Sequence, residues 1–123
     1  LDLQFGKLTP NGSVDVAAFE KQVAEQLGMP AELTFRYRPT YFKHIFGSDE
    51  YACGYYTYLW AQVLEADAWN RFEEEGPLNI KTATDYKNYI LAPGDTEDAM
   101  TLYKRFRGHE PNADALLRLR GLK

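Results

Sequence analysis

Apolar positions recur at helical spacing along most of the chain. Val16, Phe19, Val23 and Leu27 fall three or four residues apart, the stripe of an amphipathic helix. Pro10-Asn11-Gly12-Ser13 precede it as a start signal, and Gly28 with Pro30 end it. Residues 31–38 fit extended chain, because Pro39 disfavours helix at Arg38. A short helical turn is expected over 40–45, and Gly47-Ser48-Asp49 then break the pattern. From about 51 to 74 the chain reads as one long helix, with no proline and a single glycine, Gly54. Its first half is apolar on more than one side, the mark of a buried helix, and Gly76-Pro77 close it. Three shorter helices follow. One covers about 81–91 and is closed by Pro93-Gly94. One is capped by Thr96 and carries Lys104, Arg105 and Arg107 in its last turn. One covers about 112–120, with Gly121 as its C-cap. No alternating strand of useful length appears. The expected fold is all-α, about five helices, with no repeat and no linker dividing residues 1–123.

Composition narrows the chemistry. A single cysteine, Cys53, excludes an intrachain disulfide and a cysteine-based zinc cluster. Two histidines, His44 and His109, exclude a His-rich metal site. A net charge of −4 argues against a nucleic-acid partner, which selects a basic face. No apolar run approaches the ~18–20 residues of a membrane span. The first residue is Leu1 and no signal segment follows it. The chain is therefore expected to be processed or cut from something longer.

Most motifs have bland readings. His109-Glu110 looks like the start of the helical zinc signature His-Glu-x-x-His, but Ala113 stands where the second histidine belongs and Pro111 intervenes. A solvated turn between two helices is expected there. Cys53 is expected inside the aromatic helix as a small buried thiol. The basic residues Lys104, Arg105, Arg107, Arg118, Arg120 and Lys123 suit the ends of two helices.

The tyrosines stand out. Six of nine (Tyr37, Tyr41, Tyr51, Tyr55, Tyr56, Tyr58) fall within 22 residues. On a helix Tyr51, Tyr55 and Tyr58 stand at i, i+4 and i+7, and at 100° per residue they share one stripe, which Gln62 extends. A phenol with pKa about 10 is a neutral donor at pH 7. Two such donors aimed at one point stabilise an oxyanion. The alternative from spacing alone is an aromatic core whose hydroxyls reach the surface. His44, just before the break, is open to the same structural reading.

Phe42-Lys43-His44-Ile45-Phe46, a short loop, then Tyr51-Ala52-Cys53-Gly54-Tyr55-Tyr56-Thr57-Tyr58-Leu59-Trp60 form a specific pattern. It resembles the C-terminal part of the thimet oligopeptidase and peptidyl-dipeptidase family of zinc metallopeptidases. Tyr86, Pro93-Gly94, Glu97-Asp98, Phe106-Arg107-Gly108 and Gly121-Leu122 continue the resemblance to the end, and Phe19, Tyr37, Arg38 and Tyr41 carry it through the front half.

The resemblance implies a helical segment of a larger, clam-shaped catalytic domain that admits short peptides through a narrow channel. It implies a zinc cofactor whose ligands lie outside this chain, with no metal ligand within it. Tyr51 and Tyr58 are then the catalytic residues, with hydroxyls that stabilise the tetrahedral intermediate. His44 and Tyr55 are the substrate-binding residues. One feature departs from the family pattern. Where it has a glycine-rich loop, this chain has Gly47-Ser48-Asp49-Glu50, which implies either a stiffer loop or acids that contact substrate.

The reading is part of a peptidyl-dipeptidase, inactive alone, whose partners are a short peptide and the remainder of the parent polypeptide, with no nucleic acid and no membrane. An endo-acting oligopeptidase of the same family is the alternative, and a free-standing helical binding module is a third reading. The cytoplasm is the expected compartment, with the periplasm as the alternative.

Overall fold

The structure, a computed structural model, describes residues 1–9 and 12–123. It is helical, with no strand among the described residues. Seven α-helices and one π-helical turn are present among them: α1 (Asp2–Phe5), α2 (Val16–Gln26), α3 (Lys43–Phe46), α4 (Thr57–Glu75), α5 (Ile80–Tyr86) running into the π-turn (Lys87–Leu91), α6 (Ala99–Arg107) and α7 (Asp114–Leu119). Beyond the expected five, α3 falls on the short helical turn expected over 40–45, and α1 was not expected; each has four residues. That is about one turn, too little for a 3.6-residue period to show.

The chain divides into two compact units, Leu1–Thr57 and Tyr58–Lys123. No linker marks the division, which falls at the start of α4.

In the first unit α2 starts where its cap places it. The Asp15 carboxylate accepts the Ala18 N–H at 3.0 Å, taking up one of the amides that a helix start leaves unpaired. Pro10 and Asn11 of the expected start signal lie outside the described residues. Val23 and Glu20 face inward from α2, and Ile45 from α3. Aromatic edges do much of the packing. Phe5 meets Phe19 and Phe46 edge-on at 4.7 and 5.5 Å, contacts worth about 0.5–1.5 kcal/mol each beyond area burial. Glu20 accepts Arg38 Nε at 2.8 Å and Arg38 Nη2 at 2.7 Å on a single oxygen. This pair fixes the segment before Pro39 against α2, and that segment is less extended than expected, with a turn at 31–32 and a bend at 36–37. Gly47 ends α3 because only glycine fits: a Cβ there would lie 2.6 Å from the Lys43 carbonyl oxygen.

The second unit is a small helical core. Val63 and Ala66 of α4 pack with Ala115 and Leu116 of α7. Ala68 of α4 packs with Tyr103 and Phe106 of α6, flanked by Leu64, Phe72, Tyr86, Tyr89 and Ile90. Phe106 is 2% exposed, and burial of a side chain of that size contributes about 1.5–3 kcal/mol. A polar triad crosses this core. Asp67 accepts the Tyr103 hydroxyl at 2.6 Å and two Arg107 nitrogens at 3.3 Å. Burial first, and the Asp67 carboxylate second, push the Tyr103 phenol well above its ordinary pKa, so it stays a donor.

Several expected boundaries move. α5 starts at Ile80, capped by Asn79, whose side chain accepts the Lys81 and Thr82 N–H groups, and the π-turn follows it. α6 is capped by Asp98 rather than Thr96: the Asp98 carboxylate accepts Thr101 N–H at 2.8 Å. The expected burial of the front of the long helix is also corrected. Tyr58, Leu59 and Trp60 are 46–52% exposed, and the buried residues of α4 are Val63, Ala66, Asp67 and Ala68. The basic residues near the end are mostly engaged. Lys104 pairs with Glu110, Arg105 with Glu97, Arg107 with Asp67, and Lys123 with Asp114.

Candidate functional site

The largest correction concerns the tyrosine helix. α4 begins at Thr57, so Tyr51 and Tyr55 are not on it. Residues 51–56 form tight turns instead. Ala52 N–H donates to the Asp49 carbonyl, Gly54 N–H to Tyr51, and Thr57 N–H to Gly54, each three residues back rather than four. Cys53 has φ +59°, the left-handed conformation, which costs a non-glycine residue roughly 1–2 kcal/mol. The shared helical stripe of Tyr51, Tyr55 and Tyr58 is therefore absent. Cys53 is likewise no buried helical thiol: it is a free, half-buried cysteine at the apex of a turn.

The turn brings part of the expected set together by another route. The His44 ring, from α3, stacks on Tyr51 with centroids 4.6 Å apart and planes 29° apart. Tyr55 stands edge-on to His44 at 6.2 Å. It is also edge-on to Phe42 at 5.4 Å and to Tyr37 at 5.9 Å. Tyr37 and Phe42 stack on each other at 4.2 Å and make a floor under Tyr55. Tyr51 is 44% exposed. His44, Tyr51 and Tyr55 thus form one aromatic group in the first unit. Tyr58 belongs to the second unit, in the first turn of α4.

Asp2 is the residue that sequence reasoning missed. Its Oδ1 accepts the Cys53 N–H at 2.9 Å and its Oδ2 accepts the Tyr55 N–H at 3.1 Å. Nothing in the local sequence signals a contact across more than fifty positions. The turn itself was legible in part. Gly54 inside an apolar run marks a local interruption, and Gly47-Ser48-Asp49 mark another just before it.

Gln62, read as the next step of the stripe, accepts Arg120 Nη2 at 2.5 Å. His109 and Glu110 lie between α6 and α7, exposed, as a turn between helices. Among the described residues no group of three or more His, Cys, Asp or Glu is placed to hold a metal ion. The zinc that the resemblance implies therefore has no fitting ligand set in these residues.

A family model described as Peptidase family M3 matches residues 8–122. The chain belongs to peptidase family M3. It is similar to the dipeptidyl carboxypeptidase of Salmonella typhimurium, 48% identical over 109 residues that cover 87% of this chain and 16% of the relative. The dipeptidyl carboxypeptidase of Escherichia coli is 41% identical over 125 residues, 99% of this chain and 18% of the relative. Oligopeptidase A of Haemophilus influenzae is 48% identical over 102 residues, 83% of this chain and 15% of the relative. The chain thus spans less than a fifth of the length of these M3 relatives.

Proposed function

We propose that this M3 chain is the tyrosine-bearing part of a longer zinc-dependent peptidase that acts on short peptides, releasing dipeptides from the C-terminus. Its zinc ligands are carried by residues outside the chain, and residues 1–123 alone do not hydrolyse peptides. The observation that supports this most is the meeting of His44, Tyr51 and Tyr55, with a half-exposed Tyr51 backed by the His44 ring.

A neutral phenol is a fixed donor that needs no proton loss to act. As the scissile carbonyl becomes tetrahedral, charge grows on its oxygen, and a hydrogen bond to that oxygen strengthens. The interaction is stronger in the transition state than in the bound substrate, which is the condition for raising kcat. Tyr51 and Tyr58 are the proposed donors. His44 and Tyr55 are proposed to contact the peptide.

Tyr58→Phe in the full-length protein tests the role. The expected result is a fall in kcat of about 10²–10³ with little change in KM; an unchanged kcat rejects it.

Endo-acting hydrolysis is the second reading. Oligopeptidase A of H. influenzae matches at the same 48% identity as the dipeptidyl carboxypeptidase of S. typhimurium. Mass spectrometry of the products separates the two readings. Stepwise loss of C-terminal dipeptides supports the first, and a single internal cut supports the second.

A further inference from the structure

We infer that Asp2 is the positioning residue that aims Tyr51, with Gly6 leaving room for the Cys53 side chain in the same turn. The inference rests on the reading of Tyr51 as a hydroxyl donor. Three observations converge on the same turn. First, one carboxylate takes two backbone N–H groups, those of Cys53 and Tyr55, one on each oxygen. These amides lie on either side of Gly54, so the carboxylate clamps the turn across its apex. Second, Cys53 is held at φ +59°, a conformation that persists where surrounding contacts over-determine it. Third, a Cβ on Gly6 would lie 2.1 Å from Cys53 Sγ. The Cys53 side chain therefore sits directly against the Gly6 backbone, just past the end of α1.

The clamp reaches Tyr51 through the backbone. Gly54 N–H donates to the Tyr51 carbonyl at 3.0 Å, so the conformation of residues 53–55 sets the position of residue 51. The Tyr51 ring in turn lies on His44. Asp2 acts by fixing the turn. Charge-assisted bonds to backbone amides suit this task, being short and directional. Asparagine offers only one accepting oxygen and can keep only one of the two.

The test uses the full-length protein and a peptide substrate. Asp2→Ala is expected to lower kcat about tenfold with KM within about twofold, since a small misplacement of a donor is costly to turnover. Asp2→Asn is expected to lose less, about threefold. In a Tyr51→Phe background Asp2→Ala should cost under about twofold, because residues acting as one unit are not additive. An equal loss in both backgrounds, or no loss from Asp2→Ala, overturns the inference. Should Asp2→Ala fail to fold, Asp2→Asn and Gly6→Ala carry the same cycle. Tyr51→Phe with no effect on kcat overturns the donor reading and the route assigned to Asp2 with it. Tyr51→Phe with its full loss, and Asp2→Ala with none, overturns the assignment to Asp2 alone.

Discussion

The two units of this chain are built on different principles. The second unit is regular helix: α4 to α7 bury Val63, Ala68, Leu102, Phe106 and Leu116, and cross that core with the Asp67–Tyr103–Arg107 triad. The first unit is mostly turns and extended chain, with aromatic rings packed edge-on and face-on around His44 and Tyr55. Of its functional candidates, Tyr51 and Tyr55 lie on irregular backbone held by the Asp2 carboxylate, and His44 lies in the single turn of α3. Helical periodicity makes a stable scaffold, but it presents side chains only at fixed angles. Rings that must meet at a chosen point call for a backbone free of that period.

The largest test of this contrast is Asp67→Ala. The Asp67 and Arg107 side chains are 4% and 6% exposed. Removing Asp67 leaves the buried Arg107 guanidinium with only the exposed Glu74 carboxylate, 3.6 Å away, and leaves the Tyr103 hydroxyl with only the longer 3.2 Å bond to the Leu64 carbonyl. A loss of about 3–5 kcal/mol is expected, read from urea or thermal unfolding of the full-length protein. In protein kept folded at low temperature, kcat should stay within about threefold of the parent. A large loss of kcat in folded protein would break the separation between scaffold and site.

Tyr51→Phe is the mirror experiment. Loss of one oxyanion donor corresponds to about 2.7–4 kcal/mol in the barrier, while a half-exposed hydroxyl contributes within about ±0.5 kcal/mol to stability. Here turnover should fall and the unfolding midpoint should hold. A fall in the midpoint with kcat intact would make Tyr51 a structural residue.

The same contrast explains what the sequence disclosed. α2 and α4 were legible because each has an apolar stripe and a stop signal, and α6 because of its cap and its basic last turn, which Gly108 (φ +81°) ends. The start of α4 was misplaced by six residues, since aromatic and small side chains at 51–56 satisfy a helical period as well as a turn. What decides between them is the Asp2 carboxylate, which competes for the amides a helix would use. A bond between residues more than fifty positions apart leaves no local pattern. Tyr51 and Tyr55 were picked by a stripe that the structure lacks and His44 by the motif resemblance, and the three are neighbours for a different reason. The motif resemblance carried that part of the reading, and the geometry of the stripe did not.

Helix caps put the two units on one scale. Asp15 caps α2 in the first, and Asn79 caps α5 in the second. Replacing either with alanine should cost about 1 kcal/mol, measured by the same unfolding curves. Equal costs would place the difference between the units in their tertiary contacts. A much smaller cost for Asp15→Ala would mean that α2 is held by its aromatic and Glu20 contacts alone.

The smallest effect belongs to the exposed pair of Glu97 and Arg105, 45% and 46% exposed. Both Arg105 nitrogens reach the carboxylate, at 2.7 and 2.6 Å, so the geometry is as good as that of any pair in the second unit. Water and salt nevertheless screen it. Hydrogen bonding from Arg105 holds the Glu97 carboxyl below its ordinary pKa. A depressed folded pKa means that the contribution is present above the ordinary carboxylate range, about pH 4.3, and is lost as pH falls through the folded value. Arg105→Ala should therefore shift the unfolding midpoint less than either cap variant at neutral pH. The difference from the parent should vanish in about 0.5 M salt and in acid. A difference that survives both would mean that Arg105 acts through its packed stem rather than its charge, and the exposed and buried ion pairs of this unit would then differ less than their solvent exposure implies.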